Sequence, residues 1–203
     1  MAKSFVTTPI VGLILRGIAL VAAKCLRWKM PSKIPDVKKA VFIGAPHTSN
    51  WDFFVMLMGV LIYRLDVKWI GKHTLFKGPL GPIMRWLGGI PINRTIRGNF
   101  VQQMVDHFNN TDDLLLVIAP EGTRKLVEKW HSGFYYMAYN AGVPIVLATV
   151  DYKKREVTVD KVEYPTGDAD ADIQRYQAFY TTVTGKNPYN YFGYKPQVDA
   201  DNS

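Results

Sequence analysis

The sequence predicts an α/β domain: a layered, largely parallel or mixed sheet flanked by helices and preceded by an amphipathic helical segment. Three observations carry this. From residue 40 onward, short apolar or β-branched runs alternate with helix-length pieces. The run Leu114-Leu115-Leu116-Val117-Ile118-Ala119 has no polar residue, as in a strand buried on both faces. The chain's 203 residues, 48% hydrophobic, are enough for one domain with a full core.

Residues 1–30 are separated from the domain, residues 31–203, by the proline-containing stretch 30–35. The segment 5–28 is largely apolar, but Arg16 interrupts it, leaving uncharged pieces shorter than the ~20 residues that span a bilayer. Arg16 also spoils the clean apolar centre of a secretory signal, and Lys24 follows Ala22-Ala23 awkwardly for cleavage. What remains, with Arg16, Lys24, Arg27 and Lys29 as polar punctuation and Trp28 near one end, is the composition of a helix lying in a membrane interface. The plainer reading is a helix packed on the domain.

Within the domain, strands are expected over 40–45, 67–70, 114–119, 145–150 and 156–159, and helices over 50–63, 83–87, 99–108, 132–140 and 171–183. The tail 187–203 is aromatic first and acidic last; its tyrosines are expected to pack and its final six residues to fray. The net charge of +8 favours an anionic partner without choosing among nucleic acid, membrane and phosphorylated substrate. The single Cys25 excludes an internal disulfide and a cysteine-based zinc site, fits a reducing compartment, and reads as a small residue packed on a helix.

Two histidine–aspartate pairs share one spacing, His47 with Asp52 and His107 with Asp112. With Ser49 or Asn50 as helix cap, His47 falls in a strand-to-helix turn and Asp52 in the first helical turn, where the helix dipole favours a carboxylate that reaches back to the imidazole. Such a carboxylate fixes the tautomer and leaves the other ring nitrogen to take a proton from a hydroxyl, making a general base without its own nucleophile. His107 instead falls near a helix end followed by the loop-like "NNTDD". His73 and His131 have no obvious acid partner nearby in sequence and are expected to be solvent-facing or locally satisfied histidines. "APEGTR" (119–124) follows the buried strand, so Glu121, Thr123 and Arg124 stand where ligands bind in α/β sheets, and Gly122 allows close backbone approach. An ordinary solvated turn is the competing reading. Arg94, in "GGIPINR", suits a phosphate or a free surface equally.

In this order, "HTSNWD", "GGIPINR", "APEGTR" and "GVPIVLA" resemble the four blocks of the glycerolipid acyltransferase family typified by 1-acyl-glycerol-3-phosphate acyltransferase; the resemblance spans residues 42–148. It implies fatty acyl transfer from a thioester, acyl-CoA or acyl-carrier protein as co-substrate, to a hydroxyl of a lysophospholipid, with 1-acyl-glycerol-3-phosphate the first choice. It implies that His47 is the general base and Asp52 its orienting partner. Arg94, Glu121 and Gly122 would bind the polar acceptor, Thr123 and Arg124 would support it, and Lys72 resembles a basic position between the first two blocks. Family members often carry an amino-terminal helical motif that dips into the membrane, implying a peripheral or monotopic enzyme on the cytoplasmic face with membrane lipids as partners; neither cofactor nor metal is implied. The chain departs from the family at Pro46, where asparagine is usual, at Pro91 and Asn93, and at Leu147, where a second proline is frequent. These departures bear on the acceptor more than on the reaction.

The alternatives are an acyltransferase for another lyso- or hydroxy-lipid, such as a lyso-ornithine lipid, a thioesterase or lipid hydrolase, and a non-catalytic basic membrane-binding protein. Hydrolysis lacks a Gly-x-Ser-x-Gly elbow, and no nucleic-acid motif is present.

Overall fold

The computed structural model describes residues 4–92 and 100–193. Among them six strands, β1 (Lys39–Ala45), β2 (Val67–Lys72), β3 (Gly89–Ile92), β4 (Leu114–Ile118), β5 (Ile145–Asp151) and β6 (Glu156–Glu163), form one sheet in the order β3-β2-β4-β1-β5-β6. The first five run parallel; β6 returns antiparallel against β5, so the sheet is mixed. The register sets Ile43 of β1 beside Ile118 of β4 and Leu147 of β5. The carboxyl ends of these three strands therefore share one edge.

Helices cover both faces, and a short one, α3 (Gly81–Trp86), precedes β3. Val41, Ile43 and Ala45 enter one core with α4 (Phe100–Asn109), α5 (Gly133–Ala141) and α6 (Ala169–Tyr180), while Ala40 and Phe42 enter the other with α1 (Pro9–Cys25) and α2 (Trp51–Tyr63). This alternation is the period-2 consequence of a strand buried on both sides. The Tyr180 hydroxyl ties α6 to the sheet, 2.7 Å from Ile43 O and 3.1 Å from Ala148 O.

α1 begins with Pro9 after the Thr8 cap, where a missing N–H costs nothing, and ends before Arg27, whose φ is 57°. It packs its small residues, Gly12, Ala19 and Ala23, inward and leaves Ile10, Leu13, Ile14, Ile18 and Val21 exposed. Small residues let α1 lie close to α2, and Arg16 Nε donates to Ile62 O at its end. The segment is also tied to the sheet: Lys29 N–H donates to Arg155 O and Val157 N–H to Lys29 O. Among the described residues no helix is long and apolar enough to cross a membrane.

Several expectations change. Gly89–Ile92 is a strand, unforeseen because glycine and proline both weaken the strand pattern; β3 lies at the sheet edge, where proline is tolerated. Gly89 is needed there for packing, since a Cβ would come 2.7 Å from the Phe76 ring. α6 starts two residues early because the Asp168 side chain accepts from Ala171 N–H. Cys25 is exposed, not packed, because the inward stripe of α1 runs through Ala19 and Ala23. Of the tail tyrosines among the described residues, Tyr191 is buried and Tyr189 is exposed; Tyr194 and the final six residues lie outside them.

Candidate active site

The turn from β1 into α2 carries the first pair. A cis peptide joins Ala45 to Pro46, and the chain passes His47, Thr48 and Ser49 before Asn50 caps α2. The Asn50 side chain makes no cap bond. Asp52 takes that role from inside the helix: its Oδ2 accepts from Thr48 N–H at 2.8 Å and Ser49 N–H at 2.9 Å. The same oxygen lies 3.2 Å from His47 Nδ1. Asp52 is buried and His47 about one-third exposed, so Nε2 is the ring nitrogen left for a substrate.

Glu121, just past β4, closes the site from the neighbouring strand. Its Oε1 accepts the His47 backbone N–H at 3.0 Å, while Oε2 is buried without a hydrogen-bond partner among the described residues. Burial pushes the Glu121 carboxyl above the usual glutamate range, against the lowering effect of the His47 N–H. A buried carboxylate oxygen left unpaired is costly, and in a native fold it calls for an explanation. The solvated-turn reading of "APEGTR" therefore fails for Glu121. Gly122 adopts φ 64°, and a Cβ there would come 2.9 Å from His131 Cδ2. His131 is exposed as expected, yet it lies against this loop, held by its N–H to Pro120 O. Thr123 Oγ1 accepts from Lys125 N–H, and Arg124 is exposed.

Lys72 ends β2, paired with Ile92 of β3. Arg94 lies outside the described residues. His107 sits in the last turn of α4, and among the described residues no ion pair joins it to Asp112; its carbonyl instead accepts from the Thr111 hydroxyl. Equal spacing thus yields two geometries, because only the first pair straddles a strand-to-helix turn.

One residue escapes the sequence reading. Tyr152, immediately after β5, donates its hydroxyl to Asp52 Oδ1 at 2.9 Å. Burial, then the Asp52 charge, raises its pKa well above that of a free phenol. The available signal is position: Tyr152 comes after a predicted parallel strand, at the same carboxyl edge as His47 and Glu121.

Behind the pair opens a cavity of about 550 Å³ between α2 and the sheet. His47 and Asp52 lie at one part of its wall, and Phe53, Met56, Gly59, Val60 and Tyr63 line it along α2. Gly44, Val117 and Ala148 face it from the sheet, and Pro31, Leu65 and Leu87 line it further on. Its lining is almost wholly hydrocarbon, which suits an apolar ligand.

A family model described as Acyltransferase matches residues 26–150. No curated protein sequence matches the chain. Among solved structures, the fold is similar to that of the 1-acyl-sn-glycerophosphate (LPA) acyltransferase, PlsC, from Thermotoga maritima, with a TM-score of 0.56 and 17% identity over 82% of this chain and 74% of that one.

Proposed function

The chain belongs to the acyltransferase family, and on that premise we propose that it transfers a fatty acyl group from acyl-CoA or acyl-carrier protein to the free hydroxyl of a lysophospholipid, with 1-acyl-glycerol-3-phosphate as the acceptor. One observation carries this reading: an imidazole–carboxylate pair, 3.2 Å apart, stands at the wall of a large apolar cavity. The solved relative in fold is named for the same acceptor.

The geometry supports the following chemistry. His47 Nε2 takes the proton as the acceptor oxygen attacks the thioester carbonyl, and Asp52 at Nδ1 stabilises the imidazolium. Collapse of the tetrahedral adduct breaks the C–S bond, and the proton passes from His47 to the departing thiolate sulfur. The acyl chain lies in the cavity. Glu121 Oε2 is the buried acceptor for a hydroxyl of the glycerol backbone, with Gly122 permitting close approach and Arg94, Lys72, Thr123 and Arg124 serving the phosphate. The exposed apolar stripe of α1, with the basic Lys24, Arg27 and Lys29 at its end, rests in the interface of an anionic membrane on the cytoplasmic side.

The test is an acceptor panel with one acyl-thioester donor, read by mass spectrometry. Acylated lysophosphatidic acid is expected. Free fatty acid as the sole product would make the enzyme a hydrolase, and acylation of a lyso-ornithine lipid alone would move the acceptor. His47→Ala should lower turnover by about 10²–10⁴-fold, the usual contribution of a general base. His107→Ala should leave it intact.

A further inference from the structure

We propose that Tyr152 is a positioning residue of the acyl-transfer site, holding the Asp52 carboxylate in the one orientation that serves His47, and that the strap formed by residues 184–187 locks the arrangement. The inference rests on the reading of His47 and Asp52 as the proton-transfer pair.

The two carboxylate oxygens of Asp52 have different duties. Oδ2 meets His47 Nδ1 and the N–H groups of Thr48 and Ser49, and Oδ1 receives the Tyr152 hydroxyl. The two N–H groups anchor Oδ2 beside the imidazole, but rotation about the aspartate Cβ–Cγ bond is soft, and Oδ1 has no donor from the local turn. The Tyr152 hydroxyl on Oδ1 fixes the carboxylate plane from the opposite side. Tyr152 is in turn held from several sides. Its ring meets Trp28 edge-on at 5.1 Å, Lys186 Nζ lies 5.5 Å from its centroid and 6.0 Å from that of Trp51, and its N–H donates to Thr184 O at 2.9 Å. A raised pKa keeps the phenol protonated, and so a donor, through the neutral range.

The strap reaches the other oxygen as well. Asn187 N–H donates to Thr48 Oγ1 at 3.1 Å and Asn187 Nδ2 to Thr48 O at 2.9 Å, fixing the residue whose own N–H binds Oδ2. Gly185 allows this approach, since a Cβ there would come 2.8 Å from Thr48 Oγ1. Tyr152 and residues 184–187 all lie beyond the stretch 26–150 that the family model matches. The pair inside that stretch is thus steadied by elements outside it.

Tyr152→Phe removes the hydroxyl and keeps the ring. The expected result is a fall of about tenfold in kcat, the scale of one hydrogen bond to a charged group, with KM for donor and acceptor changed by less than about twofold. The His47 Nδ1–H proton resonance should move, while Tm stays near that of the parent. Asn187→Ala should lower kcat in the same direction. A parental kcat in Tyr152→Phe, or a lowered kcat matched by a rise in KM with no movement of the imidazole resonance, overturns the inference. His47→Ala separates the two levels. If it abolishes transfer while Tyr152→Phe is fully active, the positioning role alone falls; if it retains parental transfer, the reading beneath falls too.

Discussion

Gly59 offers the sharpest test of what the cavity holds. It lies in α2, is buried, lines the cavity, and a Cβ built on it meets nothing within 4 Å. Measured along the helix axis at about 1.5 Å per residue, Gly59 stands roughly 10 Å beyond Asp52 and Tyr63 roughly 16 Å beyond it. An extended chain advances about 3.5 Å per three bonds, so roughly 14 bonds fit from the aspartate to Tyr63 and roughly 9 to Gly59. Gly59→Leu should therefore cap the accepted acyl group about five methylenes short. At about 0.8 kcal/mol per buried methylene the loss is about 4 kcal/mol, on the order of 10³ in kcat/KM for the longest chains. The variant should not unfold. Leucine exceeds glycine in helix propensity by up to about 1 kcal/mol, and the added side chain fills space already open. The assay is competition among acyl thioesters of graded length, with products resolved by mass, alongside a thermal melt. A folded variant with the parental length profile would refute the assignment of this cavity to the acyl chain.

Two further perturbations probe the rest of the site. Because burial raises the Glu121 carboxyl, the folded state binds its proton more readily than the unfolded chain does, so this group's contribution to stability falls as pH rises through and above the ordinary glutamate range. Glu121→Gln should match the parent in Tm in acid, exceed it at neutral pH, and lose acyl transfer; a Tm difference constant with pH would oppose the assignment. Ile14→Asp with Ile18→Asp alters two exposed residues of α1 and should leave Tm unchanged. Binding to anionic vesicles, measured by co-sedimentation, should weaken at least tenfold, given about 1.5–3 kcal/mol for burying each such side chain. Undiminished binding would show that α1 only packs on the domain.

How much of the fold and the site can be read from sequence depends on where the information resides. The parallel strands are legible because burial on both faces leaves uninterrupted apolar runs, as in Leu114–Ile118. The pairing of His47 with Asp52 is legible as a candidate because both residues belong to one turn and need only local geometry. Choosing it over His107 and Asp112 requires knowing which histidine ends a parallel strand. β3 is hidden because Gly89 and Pro91 are selected by a neighbour's ring and an edge position, neither of which is local.

The long-range parts of the site are hidden for a more general reason. Tyr152 meets Asp52 across 100 residues of chain, and Asn187 meets Thr48 across 139. No periodicity encodes such contacts: the first exists because β1 and β5 are adjacent and parallel, so that the segments leaving them emerge at one edge, and the second because the segment after α6 is tied there by Tyr152 N–H to Thr184 O. The cavity is hidden in the opposite way, by small residues. Within an otherwise apolar helix, Gly59 reads as lost helix propensity, and Gly44 reads as a flaw in a strand. Both line the cavity, and a Cβ on either meets nothing within 4 Å. The side chains they lack leave the space between α2 and the sheet open, and an open apolar space beside an imidazole–carboxylate pair suits an apolar ligand. On the proposed reading, the acyl chain is tied to the fold by residues that local propensity alone would have replaced.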